Sequence, residues 1–332
     1  MKKVIIINLL ILTVLCSNAQ NYLQKAKSGN VRSMYELANQ YYNGIGMLQS
    51  YKDAFIWYKK AADRGNLEAT YKTGYMYEKG YGVTKNETNA FNYYIQAAER
   101  GHQSSQIKVA AMFDKGQGTH CSLARAMVWY RLGAERGDTM CLRRMGDFYF
   151  YGNPVEKNYP EAMYWYDKAV TLNDTGAMAP LAYILSCNKS VKPDYDRALK
   201  LLQEPLKKRD ALAQYTYANM LENGYGVQQD LKKANEYYNL ASEQGLSWAK
   251  EVTAINKYKI TQDISGFLDI HLNEITREES WMILANEYEH GINVKKDSKQ
   301  AEYCYKKAAE LGNKKAIEYL SLWQKSKKTK KR

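Results

Sequence analysis

The sequence predicts an all-α protein made of about eight helix-turn-helix repeats, and three observations predict it. Gly44, Gly80, Gly116 and Gly152 stand 36 residues apart, with Gly224 two periods further on. Ala54, Ala90, Ala126, Ala162, Ala198 and Ala234 keep the same ruler without a gap. Within each period the apolar residues fall twice at i, i+3, i+4 and i+7, the spacing of one helix face.

The chain opens Met1-Lys2-Lys3, continues with an apolar run from Val4 to Leu15, and reaches small residues before Gln20. That order matches a secretory signal cut after Ala19. A membrane span needs about 20 apolar residues and this run is too short. Lipoprotein processing at Cys16 would call for a small residue where Leu15 stands.

Each later unit carries two amphipathic helices. Met34, Leu37, Ala38 and Tyr41 share a face of helix A, about eleven residues long by this spacing. Ala54, Trp57, Tyr58 and Ala61 repeat the pattern on helix B. Small residues at Ala38, Gly74, Ala110, Gly146, Ala182 and Ala218 let the two helices approach, with aromatic pairs such as Trp57-Tyr58 and Trp165-Tyr166 filling the ends. Gly44 and its equivalents follow the last turn of helix A, where a left-handed residue ends a helix. A phosphate loop would instead follow a strand and open a helix directly.

Two stretches depart from the ruler. In 175–210 the glycines give way to Asn188 and Ser190 while Pro180, Pro193 and Pro205 enter, which predicts a distorted pair. In 246–275 the chain is shortened, since Gly224 to Gly291 spans 67 residues where two periods need 72. The pattern returns at Ala285, Tyr288, Gly291, Ala301, Tyr305 and Gly312. A last helix from Lys314 to Trp323 is expected to cap the array, burying Ile317, Leu320 and Trp323. The array thus occupies 20–324, and 325–332 (KSKKTKKR) reads as a disordered polybasic tail.

Net charge is +13, but the tail and the first lysines hold most of it, so the body is only mildly basic. The tail suits an anionic surface, and nucleic acid is a weak candidate because export separates the chain from it. Four cysteines remain after cleavage, without a C-x-x-C or a framework spacing; Cys121 with Cys141 is the one pair near enough in sequence to test. The four histidines form no metal pattern, no G-x-S-x-G occurs, and the sequence assigns no catalytic residue, metal or cofactor.

The unit Leu67 to Gly101, with Ala69, Gly74, Tyr77, Gly80, Gly82, Val83, Ala90, Tyr93, Tyr94, Ala97, Ala98 and Gly101, resembles the Sel-one-like repeat (SLR), a relative of the tetratricopeptide repeat. The resemblance covers nearly all of the mature chain. It implies a right-handed α-solenoid acting as a scaffold or adaptor, without enzyme activity. It also implies that the helix A flank about 100° from the core, at the equivalents of Tyr35, Asn39 and Tyr42, lines a concave face. The candidate partner-binding residues on it are Tyr35, Tyr42, Tyr71, Tyr75, Arg143, Phe150, Tyr183 and Tyr215. Tyrosine suits such a surface because it offers a broad rigid ring and a hydroxyl.

The function expected is an exported, non-enzymatic adaptor in the periplasm or cell envelope with a protein or peptide partner. The alternatives are a cell-envelope enzyme, its residues grafted between Pro180 and Pro205 or between Asp263 and Glu274, and a glycan-binding module.

Overall fold

The computed structural model describes residues 20–187, 190–270 and 272–329, so the proposed signal segment and Asn188 lie outside the described residues. The chain divides into two compact units at the Asp174–Thr175 bond. Unit 1 opens with helical residues 20–27 and continues through α1 (Val31–Asn43), α2 (Tyr51–Ala62), α3 (Leu67–Lys79), α4 (Glu87–Glu99), α5 (Gln103–Lys115), α6 (Leu123–Glu135), α7 (Thr139–Tyr151) and α8 (Tyr159–Thr171). Unit 2 holds a 3-10 turn (Thr175–Ala177), α9 (Met178–Cys187), α10 (Tyr195–Lys207), α11 (Ala211–Asn223), α12 (Leu231–Glu243), α13 (Ser247–Thr261) and α14 (Ser265–Leu268). A second 3-10 turn (Leu272–Glu274), α15 (Glu278–His290), α16 (Ser298–Glu310) and α17 (Lys314–Thr329) complete it. No strand occurs among the described residues, and no described helix is long and apolar enough to cross a membrane.

Most helices are 13 residues long, two more than the sequence spacing suggests, because capping side chains extend them at the front. Asn30, Asn66, Asp138 and Asp210 accept the N–H three residues ahead on the A helices at 2.8 to 2.9 Å. His102 does the same through Nδ1 at 3.1 Å. Ser50, Asn86, Ser122, Asn158, Asp194 and Asp230 cap the B helices. Each such cap contributes about 1 kcal/mol.

At the far end of α3, Gly80 adopts φ 73° and its N–H bonds Met76 O, as the sequence predicts for a left-handed cap. The second glycine of the pair has another duty. Gly82 also has positive φ, and a Cβ there would overlap the carbonyl of Tyr51 at the start of α2. The loops after α3 and α5 therefore rest backbone to backbone on the previous B helix.

The cores follow from the ruler. Ala54, Tyr58 and Ala61 of α2 are buried against Met34, Leu37 and Ala38 of α1. The small residue on helix A makes room for one ring in particular: a Cβ on Gly146 would lie 2.5 Å from the ring of Tyr166. Burying such a side chain contributes about 2 kcal/mol.

Both departures from the ruler persist in unit 2. The α9/α10 pair forms, but α9 is cut to 10 residues and Pro205 sits inside α10. In 246–275 the four-residue α14 stands where a full B helix is expected. The α15 N-terminus then lacks a side-chain cap of its own. Glu251 of α13, fully buried, replaces it by accepting the N–H groups of Thr276 and Arg277 and the hydroxyls of Thr276 and Ser280.

Two expectations are corrected, and the one cysteine pair singled out for testing is resolved. The last helix runs on to Thr329, since nothing after Trp323 breaks helical spacing, so 325–329 are helical backbone, while 330–332 of the expected tail lie outside the described residues. Ile317 is 50% exposed, and Ala316 takes the buried position with Tyr319 stacked on Tyr305 at 4.1 Å. Cys121 and Cys141 are unpaired: Cys121 is exposed, its thiol directed to Asp114 O, and Cys141 is buried beside Gly133.

Candidate protein-binding surface

The candidate flank is built on a hydrogen bond that recurs in nearly every repeat. The buried tyrosine of helix B donates its hydroxyl to a polar side chain on helix A: Tyr58 to Asn39, Tyr94 to Glu78, Tyr130 to Asp114, Tyr166 to Asp147, Tyr238 to Glu222 and Tyr305 to Glu289, at 2.5 to 3.2 Å. The acceptor changes place by rule. Where the equivalent of Tyr42 is acidic (Glu78, Asp114, Glu222, Glu289) that acid accepts. Where it is aromatic (Tyr42, Phe150) the acceptor moves one turn back, to Asn39 or Asp147. Burial, and then the carboxylate beside it, pushes the Tyr94 phenol well above its ordinary value.

A second layer joins consecutive repeats. A cation on the next helix A reaches back to the same position: Lys72 over the Tyr42 ring at 5.9 Å, Lys108 to Glu78 at 3.0 Å, Arg144 to Asp114 at 2.7 Å. Burial alone would raise the Glu78 carboxyl. The bonds from Tyr94, Lys79 and Lys108 outweigh it and hold the group at about 2.

Of the eight residues named from sequence, the structure brings four onto one face of unit 1. Tyr42 lies 5.2 Å from Tyr51 and 6.3 Å from Tyr81, and Tyr75 lies 6.1 Å from Tyr81, all of them half-buried. Burial, followed by the neighbouring Tyr75, Tyr51 and Tyr81, pushes the Tyr42 phenol up to about 12. Tyr35 and Tyr71 flank this cluster, the first 5.8 Å from Tyr58 and the second 4.7 Å from His102.

The other four are not part of this cluster. Arg143 is bound to Asp174 at 3.3 Å. Phe150 is fully buried, covered by Tyr151, Tyr159 and Tyr166, and cannot touch a partner in this conformation. Tyr215 is 7% exposed within the unit 2 core and its hydroxyl accepts from Arg277 at 3.3 Å. Tyr183, half-buried in unit 2, packs on Trp248 at 5.2 Å. Sequence reasoning missed Tyr51 and Tyr81, whose rings stack at 4.9 Å. The signal was present, because Tyr195 and Tyr225, also 30 residues apart, stack at 5.1 Å.

Among the described residues of the irregular stretches, two of the acids already have partners. Asp263 is bound by Lys257 at 2.6 Å and Glu274 accepts from Ser247 at 2.7 Å. Among the described residues, no group of three or more His, Cys, Asp or Glu side chains could hold a metal ion.

Stacked helix pairs, αL caps and interlocking loops define a tetratricopeptide-like α-solenoid. More particularly, the Sel1 repeat model matches residues 31–66, 67–102, 103–138, 139–174, 177–204, 211–246 and 282–313, and the chain belongs to the Sel1 repeat family. A protective antigen present in uropathogenic Escherichia coli strains, which displays an SLR fold, is 28% identical with a TM-score of 0.54, covering 90% of this chain and 65% of that one. This chain therefore spans about two thirds of that antigen's length. A Sel1 repeat protein from Oxalobacter formigenes is 20% identical with a TM-score of 0.53, covering 94% and 93% of the two chains, and shares the fold. No curated protein matches.

Proposed function

We propose that this protein is an exported, non-enzymatic adaptor that captures a protein or peptide segment on the helix A flank of unit 1. Sel1 repeats are typically scaffolds for protein–protein interaction. The observation that carries the reading is the half-exposed cluster of Tyr42, Tyr51, Tyr75 and Tyr81. Rings held by one another lose little further freedom on binding, and a phenol offers a polar hydroxyl at the rim of its apolar ring. Export rests on the pattern of residues 1–19.

Crosslinking and pull-down from envelope extract, with wild type and a Tyr71→Ala/Tyr75→Ala double variant, tests the reading. A discrete protein is expected with wild type and lost with the variant, helical content being equal, and the recovered chain is expected to begin at Gln20. Equal capture by both would defeat the proposed surface, and a chain retaining residues 1–19 would defeat export.

A further inference from the structure

Directly beside the tyrosine cluster, between α3 and α5, lies a cleft of about 340 Å³ lined by Lys79, Lys85, Lys108, Lys115, Glu78 and Glu87, with Met112 and Ala111 as an apolar wall. It adjoins the cluster, since the Lys79 ammonium sits 5.8 Å from the Tyr75 ring. The internal pairings leave positive charge over. Glu78 is shared by Lys79 and Lys108, both at 3.0 Å, and already accepts the Tyr94 hydroxyl. Lys85 pairs with Glu87 at 3.1 Å, and Lys115 forms no ion pair with any described residue. Four ammonium groups thus face two carboxylates in one small cleft.

We infer that this cleft receives the carboxylates of an acidic peptide segment in the partner, placed next to a side chain seated on the tyrosines. The inference rests on the adaptor reading and specifies the partner's chemistry. Two further carboxylates would balance the four lysines without displacing Glu78 from Tyr94. Because the lysines are partly exposed, each new pair is worth little alone, and the preference comes from several acting together at modest salt.

The probe is a fluorescein-labelled EEYEE peptide, with QQYQQ as its neutral counterpart, measured by fluorescence anisotropy against the full chain. At about 50 mM salt EEYEE is expected to bind about tenfold tighter than QQYQQ. A Lys79→Gln/Lys115→Gln variant is expected to lose most of that preference, and Lys233→Gln with Lys306→Gln, lysines remote from the cleft in sequence, is expected to keep it. Equal binding of the two peptides, or an unchanged preference in the cleft variant, would overturn the inference. So would an oligonucleotide that competes as well as EEYEE. If the envelope partner is still captured through Tyr71 and Tyr75 by the cleft variant, the adaptor reading survives and the acidic specificity falls; if no partner is captured by wild type, the adaptor reading itself fails.

Discussion

Gly82 and Gly65 share a positive φ, 67° and 87°, but differ in their surroundings. Nothing lies within 4 Å of a Cβ placed on Gly65, whereas one on Gly82 would overlap the Tyr51 carbonyl. Gly65→Ala is therefore expected to cost about 1 kcal/mol, the strain of a left-handed alanine. Gly82→Ala adds a backbone clash and is expected to cost about 3 kcal/mol. Equal losses in denaturant unfolding would show that the loop does not rest on α2 as described. The capping glycine was legible in the sequence, because helix ends select a residue without Cβ from local geometry alone. The second role was not, because it depends on a contact with a residue 31 positions earlier. The same limit separates Tyr42 from Phe150: both hold one place on the ruler, yet Tyr151 and Tyr159 cover Phe150, and no repeat pattern reports what a neighbouring loop covers.

At the scale of elements, period and apolar spacing placed the helix pairs and the two irregular stretches. What they could not supply was how α15 begins, since Glu251 is 27 residues before its first residue. The carboxylate is fully buried and satisfies two backbone N–H groups at a helix N-terminus, where negative charge is also favoured by the peptide dipoles. Glu251→Ala leaves those donors and the hydroxyls of Thr276 and Ser280 without an acceptor. It is expected to cost about 3 kcal/mol, with Glu251→Gln recovering part of the loss because its amide oxygen can still accept. A Glu251→Ala melting curve superposable on wild type would remove Glu251 from this role. The reading of α17 failed for a related reason: Ile317 falls on the expected apolar spacing, but no B helix follows α17 among the described residues, and the buried contact falls to Ala316 and Tyr319.

Across the whole molecule, the tyrosine hydrogen bond recurs in both units, and it ties stability to alkaline pH. Burial first, and then the adjoining carboxylates in most cases, raises the phenols of Tyr58, Tyr94, Tyr130, Tyr166, Tyr238 and Tyr305 above the ordinary value near 10. A phenol whose folded value is raised favours the folded state at any pH below its unfolded value, and that contribution is lost as pH climbs toward the folded value. Burial holds the phenols of Tyr42 and Tyr319 at about 12. The six buried phenols should ionise only together with the loss of helix, so tyrosinate absorbance and far-ultraviolet circular dichroism are expected to share a late, cooperative step. Tyr166→Phe separates the linkage from simple packing. It removes one hydroxyl from Asp147 and should cost about 1 kcal/mol at neutral pH. It also removes one group whose ionisation drives unfolding, so its deficit relative to wild type should shrink as pH rises above 10. A deficit constant across that range would mean that the buried hydroxyl contributes to packing without coupling the fold to its own ionisation.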